Sequence, residues 1–402
     1  MRRHCRRPHR VKGMKDTESF IEYGYSSINK EGEELCGDKV ECICDGKNAT
    51  LVLADGMGSG VKANILATLT SKILCTMAAN DVPMEECVKT MVGTLPVCKT
   101  REMAYSTFSV IHLNVSGKGY LFEFDNPRAV LAAKGATVDL MRVPMDMAGK
   151  RVWRTDLQLN QDDTLLLMSD GVVHAGIGKL LNFGWDRSAI CTYLNESIKN
   201  GMSARCIAAL LAAACNELYM DKAGDDATVA AVKLRKKLKV DIMVGPPADR
   251  QTDDFYISRF LSGGGKKAVC GGTSSHIVAR HLGAKLATTF DLPDRDVPPI
   301  AFIEGIDLAT EGVLTLRKLL RLSERYMSPT DLNAKYYMNA DGASLLADLL
   351  FEQATDIHFH VGQAVNTAHQ GLPIDTTMKI KLVEKLSSNL AVMGKNVETS
   401  YF

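Results

Sequence analysis

Hydrophobic and polar positions alternate in short runs from the N-terminal part of the chain up to Leu234, a pattern typical of β-strands. The runs are residues 20–28, 39–46, 50–56, 107–115, 119–126, 129–135, 137–143, 163–171 and 227–234. Helical periodicity separates the early runs at 59–79 and 83–95, and a longer helical pair fills roughly 186–221. Strands flanked by helix pairs predict an α+β domain, a β-sandwich with its helices outside.

The pattern changes after the charged segment RKKLK at 235–239. Apolar runs that each reach a glycine now alternate with helical stretches, which predicts a smaller, partly parallel α/β domain. The apolar runs are 240–247, 266–272 and 356–362, and the helical stretches are 252–261, 274–283, 307–324, 341–353 and 376–393. We therefore expect a basic tail at 1–15, a first domain at 16–235 and an accessory domain at 240–402.

Composition limits the classes of protein that this sequence can encode. The 402 residues carry 48 basic and 47 acidic side chains, so a general surface for nucleic acid or membrane is not expected. No apolar run approaches the roughly 18 residues of a membrane-spanning helix. The basic start MRRHCRRPHR lacks the apolar stretch of a secretory signal. We interpret it as a disordered tail, with an arm that touches RNA or membrane as the alternative.

The cysteines point to a cellular compartment rather than to a site. There are 11 of them, an odd number, and no two form a C-x-x-C pair. Neither a zinc ribbon nor a thioredoxin-like motif is supported by that spacing. Reduced thiols in a cytoplasmic protein are the economical interpretation.

Carboxylates recur at the ends of the predicted strands of the first domain. Asp55 ends the apolar run in LVLADGMGSGVKAN, and Asp170 ends the run in TLLLMSDGVV. Asp38 in CGDK precedes a strand, as do Asp225 and Asp226 in AGDDATVAAV. Carboxylates that meet at one edge of a sandwich repel each other, and Mg²⁺ or Mn²⁺, which favour oxygen ligands, would relieve that repulsion. The glycine after the aspartate lets a backbone carbonyl approach such an ion.

The order and separation of ADGMGSGVKA, SDGVV and GDDATV resemble the motifs of the metal-dependent type 2C (PPM) protein phosphatases. The hexapeptide DGMGSG is the form found in the bacterial branch typified by stage II sporulation protein E. The resemblance covers about residues 16–235. It implies a type 2C phosphatase-like β-sandwich flanked by helix pairs, and it implies hydrolysis of phosphoserine or phosphothreonine on a protein.

The resemblance also implies a ligand set for two Mn²⁺ or Mg²⁺ ions. Both ions would share Asp55. One would also take the Gly56 carbonyl, with Asp38 reaching it directly or through water. The other would be completed by Asp170 and Asp225. Two metals a few ångströms apart lower the pKa of a bridging water and neutralise phosphoryl oxygens, which allows in-line displacement without a covalent intermediate.

The sequence departs from other relatives at two places in this set. Asp226 falls where many relatives carry Asn, so we expect it beside the ligands rather than among them. Eukaryotic relatives carry His two residues after the bridging aspartate, as a candidate acid for the leaving group, and here that position is Met57. A metal-bound water would then protonate the leaving group. No arginine can be assigned to the phosphate from the sequence.

Partners and alternative functions follow from the same resemblance. Branch relatives often act on phosphoserine in small anti-sigma-factor antagonists, so a phosphoprotein of that type is the expected substrate class, and a homodimer stays open. A pseudo-phosphatase that binds phosphoprotein without turnover is the main alternative, although the intact acidic set argues against it. A metal- or redox-sensing scaffold that uses the Cys and His content is a third.

The helical pair at 59–95 matches in position a pair that, in the sporulation branch, is thought to shift and so complete or disrupt the metal site. Ordinary packing is the simpler interpretation of its apolar residues. They form a stripe typical of a helix that covers a core. The stripe is Leu66, Leu69, Ile73, Leu74 and Met77. A switching role would come in addition to this packing.

The accessory domain carries a glycine turn, in KKAVCGGTSSHIVARHLG, between an apolar strand and a helix. Gly271, Gly272 and Thr273 could bind an anion at the start of that helix, although GxxxxGK[ST] is absent. The alternative is a tight turn in which Thr273 or Ser274 caps the helix. Regulation by a ligand or partner bound to this domain is the function we expect from it.

Two histidines of the accessory domain share one side of a predicted strand. His358 and His360 alternate in DIHFHVG, and His369 follows nine residues after His360. A metal would need a third ligand that the sequence does not identify, so hydrogen-bonded or solvated histidines are the expectation. No second set of metal ligands is expected in 240–402.

Overall fold

The computed structural model describes residues 18–95, 106–288, 300–332, 341–364 and 374–402. Side chains are described from residue 378 onward in the last of these ranges. The predicted tail at 1–15 and His369 lie outside the described residues. Within the described parts of the chain, no helix combines the length and the apolar character that crossing a bilayer requires.

The first region, residues 18–236, contains the predicted elements in their predicted order, together with two strands at 143–147 and 150–158 and a short helix at 170–173 that were not predicted. Its strands are β1 (Ser19–Ile28), β2 (Asp38–Cys44), β3 (Asn48–Gly56), β4 (Ser106–Asn114), β5 (Lys118–Phe124), β6 (Val130–Ala133), β7 (Ala136–Val138), β8 (Val143–Met147), β9 (Lys150–Gln158), β10 (Thr164–Met168) and β11 (Ala227–Lys236). Its helices are α1 (Gly60–Ala79), α2 (Met84–Thr94), α3 (Asp170–Val173), α4 (Arg187–Ser197) and α5 (Ala204–Leu218).

These strands form two antiparallel sheets. One has the order β1-β11-β10-β6-β7 and the other the order β2-β3-β4-β5-β9-β8. Alternate side chains from both sheets, among them Ile21, Leu53 and Val232, form the core between them. Helices α1 and α2 cover the outer face of the second sheet, while α4 and α5 cover the first. The predicted α+β sandwich with helices outside is confirmed.

The second region, residues 239–402, is a smaller α/β unit, as predicted. Its strands are β12 (Lys239–Val244), β13 (Lys266–Cys270), β14 (Leu286–Thr288), β15 (Ala301–Ile303), β16 (Leu308–Thr310), β17 (Asp356–Val361) and β18 (Asn396–Tyr401). Its helices are α6 (Asp253–Leu261), α7 (Gly272–Leu282), α8 (Val313–Met327), α9 (Gly342–Ala347) and α10 (Ile374–Val392), with a 3₁₀ turn at Arg250–Thr252 and a π-helical turn at Asp348–Gln353.

The sheet of the second region has the order β14-β15-β16-β13-β12-β17-β18. From β16 to β18 all neighbours are parallel, and β14 and β15 add antiparallel pairs at one edge. Helices α6 and α7 pack on one face of this sheet, and α8, α9 and α10 pack on the other. The carboxyl ends of the central strands therefore meet at one edge, with helices starting on both sides.

Some elements differ from the expectation. The helix expected over 307–324 begins only at Val313, because residues 308–310 pair with β13 as strand β16. The strand expected over 163–171 ends at Met168, and Asp170 opens the short helix α3. Strand β18 was not predicted, since its sequence NVETSY carries few apolar residues and lies at the edge of the sheet.

The charged segment 235–239 is not a spacer between the two regions. Strand β11 ends at Lys236 and β12 begins at Lys239. Arg235 donates to Glu22 Oε1 at 2.9 Å and to the carbonyl of Glu352 at 2.7 Å. Lys395 Nζ lies 3.2 Å from the same Glu22 oxygen, and the side chains of Lys395 and Glu22 are both buried. A buried ionic cluster therefore joins the two regions.

A second contact between the regions involves residues 328–332. The carbonyl of Pro329 accepts a hydrogen bond from Ser27 N at 2.9 Å, at the end of β1. The guanidinium of Arg205 donates to the carbonyls of Ser328 and Asp331, at 3.0 and 2.9 Å. Leu332 packs against the helices of the first region. This segment of the second region is thus fixed to strand β1 and helix α5.

Candidate active site

The first two predicted carboxylates lie directly opposite each other. Strands β2 and β3 pair antiparallel, and their register places Asp38 against Asp55. Gly56 N donates to the Gly37 carbonyl at 3.1 Å, which fixes the turn beyond this pair. Asp38 is buried, whereas Asp55 is partly exposed. The pair marks one end of the second sheet.

The first sheet brings the other carboxylates to the same end. Ser169, between β10 and α3, donates its hydroxyl to Asp38 Oδ2 at 2.7 Å and so joins the two sheets. The next residue, Asp170, is half exposed. A Cβ built on Gly37 would lie 2.8 Å from Asp226 Oδ2, which places the acidic pair before β11 against the turn that precedes Asp38. The predicted residues therefore gather at one edge of the sandwich.

Electrostatic repulsion among these groups is strong. Burial raises the pKa of Asp55 to about 9, and neighbouring negative charges add to this rise. Those neighbours are Asp38, Asp170, Asp225 and Asp226. Burial also raises the pKa of Asp38 to about 7, because hydrogen bonds from Ser169 and Thr228 offset only part of its effect. Two carboxylates with raised pKa values side by side are a site that a cation would stabilise.

The donor set fits divalent metal ions that prefer oxygen. All the predicted side-chain ligands are carboxylates, and Asp38 Oδ1 is buried without a hydrogen-bond partner among the described residues. Such an orphaned oxygen is costly unless something binds it. The carboxylates of this edge are nevertheless farther apart than the ligands around a single bound ion. Among the described residues, only Asp241, His358 and His360 form a group of three or more donors within 4.8 Å of one another.

The two glycines that follow Asp55 and Asp170 have a packing role. A Cβ on Gly56 would lie 2.0 Å from the Ala63 carbonyl of α1, and a Cβ on Gly171 would lie 2.0 Å from the Asp226 carbonyl. Both contacts are impossible for any other residue. Asp-Gly thus lets helix α1 and the turn before β11 approach the carboxylates closely.

Helix α1 carries less of its apolar stripe in the core than predicted. Leu66 and Leu74 are buried, but Leu69 is 43% exposed. Leu69 instead continues an exposed apolar row with Val61 and Ile65 on the outer face of α1. The core stripe is displaced because Ala63 and Ala67, smaller residues, face the sheet. A switching role for the helical pair at 59–95 stays a prediction.

Comparison with known families agrees with the motifs. Residues 45–235 match the family model described as Stage II sporulation protein E (SpoIIE). This segment is SpoIIE-like. The predicted resemblance is confirmed there, and the segment contains Asp55, Asp170 and Asp225. We call the first region, with strands β1 and β2 that complete its two sheets, the SpoIIE-like region. Comparison with curated proteins finds no match.

Several solved structures resemble part of the chain. The phosphatase domain of the cell fate determinant SpoIIE from Bacillus subtilis is 18% identical with a TM-score of 0.43, over 55% of this chain and 94% of that one. The RsbU and RsbW domains of Rv1364c from Mycobacterium tuberculosis are 18% identical with a TM-score of 0.44, over 61% and 70%. The catalytic domain of serine threonine protein phosphatase PstP, in complex with 2 manganese ions, is 16% identical with a TM-score of 0.37, over 54% and 100%.

Other polar groups near the carboxylates of the SpoIIE-like region were not predicted. Lys30 Nζ lies 3.9 Å from Asp225 Oδ1, and the backbone N–H of Lys30 donates to Asp226 Oδ1 at 3.0 Å. His174 Nδ1 lies 4.0 Å from Asp170 Oδ2, one helical turn further along the chain. The lysine lies far from the aspartates in sequence, so no local pattern could reveal it.

A chain of hydrogen bonds leads from the second region to Asp38. It starts where Pro329 accepts from Ser27 N. The Ser27 hydroxyl accepts from Thr228 Oγ1 at 2.9 Å, and Thr228 N donates to Ser169 Oγ at 2.8 Å. Ser169 in turn holds Asp38. We call this chain the Ser27–Asp38 relay, and sequence reasoning did not find it.

The glycine turn of the second region is an uncapped helix start. Helix α7 has Gly271 at its N-cap with φ 130° and no side-chain cap, so neither Thr273 nor Ser274 plays the capping role considered above. The hydroxyl of Ser274 is buried without a partner. A Cβ on Gly272 would lie 3.4 Å from Glu311 Oε1, which sets a carboxylate beside the predicted anion site. Anion binding there stays a prediction.

Proposed function

We propose that the chain is a protein serine/threonine phosphatase that hydrolyses phosphoserine or phosphothreonine on a protein partner. The observation that carries this proposal is the gathering of five carboxylates at one edge of a SpoIIE-like sandwich. Burial, together with the repulsion from the neighbouring carboxylates, raises the pKa of Asp55 to about 9, so a cation bound at this edge would be strongly stabilised. Mn²⁺ and Mg²⁺ are the ions that this all-oxygen donor set favours.

In this proposal Asp55 and the carbonyl of Gly56, with Asp38, would hold one ion, and Asp55, Asp170 and Asp225 would hold the other. Two bound ions would supply an acidified water as nucleophile and would offset the charge of the phosphoryl oxygens. Asp226 stays outside the ligand set.

The surrounding residues of the chain hold this arrangement in place. Ser169 orients Asp38 through its hydroxyl. Asp226 accepts the backbone N–H of Lys30, so it anchors the loop before β2. The ammonium of Lys30 near Asp225 adds a positive charge at the edge where a phosphate would approach. These contacts position the ligands before any substrate arrives.

The proposal divides the chain into a phosphatase domain at 16–235 and a regulatory or ligand-binding domain at 240–402, after a basic tail at 1–15. The Ser27–Asp38 relay supports a regulatory role, because it links the second region to a proposed metal ligand. A signal can pass along it only if a ligand or partner binds the active and inactive arrangements with different affinity. Gly271, Gly272 and Thr273 are the proposed place for an anionic ligand.

The proposed partner is a phosphoprotein of the anti-sigma-factor-antagonist type, and a second copy of the chain stays open as a further partner. A cytoplasmic location is part of the proposal, and the described cysteines, all of which are free, support it. A phosphoproteome of a strain that lacks this chain would name the substrate.

The decisive experiment measures hydrolysis of p-nitrophenyl phosphate by the full chain. We expect turnover that requires Mn²⁺ or Mg²⁺ and that EDTA abolishes, because the proposed ligands are all oxygen. Full turnover in metal-free buffer would contradict the mechanism. Binding of a phosphoprotein with no turnover at any metal concentration would favour the pseudo-phosphatase instead.

A further inference from the structure

Three side chains of types that can bind metals meet on one face of the second sheet, and none of them belongs to the carboxylate edge of the SpoIIE-like region. Asp241 lies on β12, and His358 and His360 lie on the neighbouring strand β17, two residues apart and so on the same face. Their relative exposures are 1%, 9% and 1%. One donor atom from each lies within 4.8 Å of the others. We call this group the Asp-His-His cluster.

The distances suit a single ion. His360 Nε2 lies 3.0 Å from Asp241 Oδ1, and His358 Nδ1 lies 3.6 Å from the same oxygen. In a tetrahedral zinc site, bonds of about 2.0–2.2 Å place neighbouring donor atoms about 3.4 Å apart. The two distances from Asp241 Oδ1 are therefore close to the spacing of neighbouring ligands in a zinc tetrahedron, and the two imidazole donors lie within 4.8 Å of each other.

The atoms on the far side of two of these residues are fixed by neighbours. His358 Nε2 lies 2.9 Å from Ser400 Oγ on β18, so the imidazole can donate there while Nδ1 presents its lone pair. Asp241 Oδ2 accepts from Lys267 Nζ on β13 at 2.7 Å, whereas the ammonium of Lys239 lies 3.7 Å from Oδ1, beyond hydrogen-bond distance, and is half exposed. Metal-binding histidines usually donate their other N–H in this way.

A buried ion pair with hydrogen-bonded histidines is the competing explanation. In it, His360 donates to Asp241 and nothing more binds. His360 Nδ1, however, is buried without a partner in the described residues, so no contact there holds the proton on Nε2. The ring is free to carry its proton on Nδ1 and to offer Nε2 as a donor to a metal. Lys267 would share the carboxylate with the ion through the other oxygen.

We propose that Asp241, His358 and His360 bind one divalent transition-metal ion of the zinc type, at a site distinct from the carboxylates of the SpoIIE-like region. Two imidazoles and one carboxylate are a donor set for zinc and similar ions, whereas Mg²⁺ and Ca²⁺ prefer oxygen. This proposal goes against the expectation that residues 240–402 hold no second set of metal ligands. The sequence does not reveal the group, because Asp241 lies 119 residues before His360.

The test is equilibrium dialysis of the full chain against Zn²⁺, in an Asp55→Asn background that weakens the carboxylate site. We expect one equivalent of Zn²⁺ to bind. Loss of a residue that hydrogen-bonds a metal ligand typically weakens metal binding about 10–100-fold, so Ser400→Ala should weaken Zn²⁺ binding by about 10-fold. His358→Gln and Asp241→Asn remove ligands themselves, and each should weaken Zn²⁺ binding by more than about 100-fold. The matched control is His281→Gln, which removes an imidazole that is hydrogen-bonded to an exposed carboxylate, Asp254, at 2.9 Å.

Zinc binding that is equal in the parent and in both ligand variants would overturn the proposal. So would a Zn²⁺ equivalent that responds to thiol alkylation and not to His358→Gln. A measurement on the Asp55→Asn chain alone guards against variants that misfold: ¹⁵N spectra of the imidazoles with and without Zn²⁺. We expect the ion to shift Nδ1 of His358 and Nε2 of His360, and unshifted nitrogens at saturating Zn²⁺ would contradict the site.

Discussion

The two regions of this molecule place their ionisable groups in opposite ways. In the SpoIIE-like region, Asp55 and Asp170 lie where strands end, partly open to solvent. In the second region, Asp241 and His360 lie within strands and are almost fully buried. One site is thus an edge of a sandwich, and the other is a polar patch inside a parallel sheet.

The difference shows what each topology can do with charge. Antiparallel strands that turn at the same end gather aspartates at the surface, where their repulsion stays unrelieved until cations arrive. Parallel strands instead stack polar residues side by side across the sheet. Four successive strands each contribute one polar residue to a row: Lys267, Asp241, His360 and Ser400. Lys267 and His360 both contact Asp241, and Ser400 contacts His358. There the carboxylate has a built-in counter-charge.

The largest expected effect breaks the junction between the regions. Glu22→Gln leaves the buried Lys395 and the partly buried Arg235 without their carboxylate, which should lower the free energy of unfolding by about 3 kcal/mol. Burial raises the pKa of Glu22, but Lys395 and Arg235 outweigh it and hold that pKa below its usual value. Urea unfolding of the full chain measures the loss.

The control for this change is Glu324→Gln, which breaks an ion pair with Lys385 of similar distance, 2.7 Å, between half-exposed side chains. An exposed pair contributes less than about 1 kcal/mol. Equal losses in the two variants would mean that the buried cluster does not bind the regions together. If the second region unfolds before the first in the Glu22→Gln chain, the two regions are separate folding units that this ionic cluster holds together.

The next effect tests the carboxylate edge itself. If Asp55 is shared by both ions and Asp226 only stands beside them, Asp55→Asn should reduce metal-dependent hydrolysis by more than about 100-fold. Asp226→Asn should reduce it by about 10-fold, the lower end for an outer partner of a metal site. Steady-state rates at saturating Mn²⁺ measure both, and similar rates for the two variants would refute the ligand assignment.

The sequence predicts the carboxylate edge of the first region better than it predicts the Asp-His-His cluster of the second. Asp55-Gly56 and Asp170-Gly171 are local signals, because the residue that binds and the glycine that permits close packing are adjacent in the chain. The Asp-His-His cluster has no such signal, since its ligands come together only when β12 and β17 pair. Strand β9, KRVWRTDLQ, was missed for another reason: its apolar and charged residues do not alternate, because Val152 is buried on one face of the sheet and Leu157 on the other.

A third effect concerns the unrelieved charge at the edge. In the metal-free protein, burial and then the neighbouring carboxylates raise the folded-state pKa values of Asp55 and Asp38 to about 9 and about 7, above the ordinary value of 3.8. The protonated carboxyls therefore contribute stability that is fully present below about pH 4, and this contribution is lost progressively as pH rises to about 7 for Asp38 and to about 9 for Asp55. One pKa unit corresponds to about 1.4 kcal/mol, so the loss should exceed about 1 kcal/mol.

Urea unfolding in EDTA between about pH 6 and 9 measures this loss. Asp55→Asn should remove most of it and should be more stable than the parent at the alkaline end. Asp156→Asn, at an exposed carboxylate of β9, should leave the profile unchanged. Saturating Mn²⁺ should flatten the profile of the parent. A parent that is equally stable across the range in EDTA would show that the carboxylates do not repel each other as the structure indicates.

The smallest effect tests whether the second region supports the metal edge of the first. Arg205 donates to the carbonyls of Ser328 and Asp331 and to Ser26, and so fixes the segment whose Pro329 carbonyl binds Ser27. Arg205→Met releases that segment without touching any carboxylate. If the Ser27–Asp38 relay carries coupling between the regions, the Mn²⁺ concentration for half-maximal activity should rise about 5-fold, the lower end of measured couplings.

Arg154→Met, which removes an exposed arginine paired with Asp156, is the matched control. The milder Arg205→Lys keeps one cation in place and should give a smaller rise. An Mn²⁺ requirement that is the same in Arg205→Met, Arg205→Lys and the parent would mean that the relay is only a structural contact.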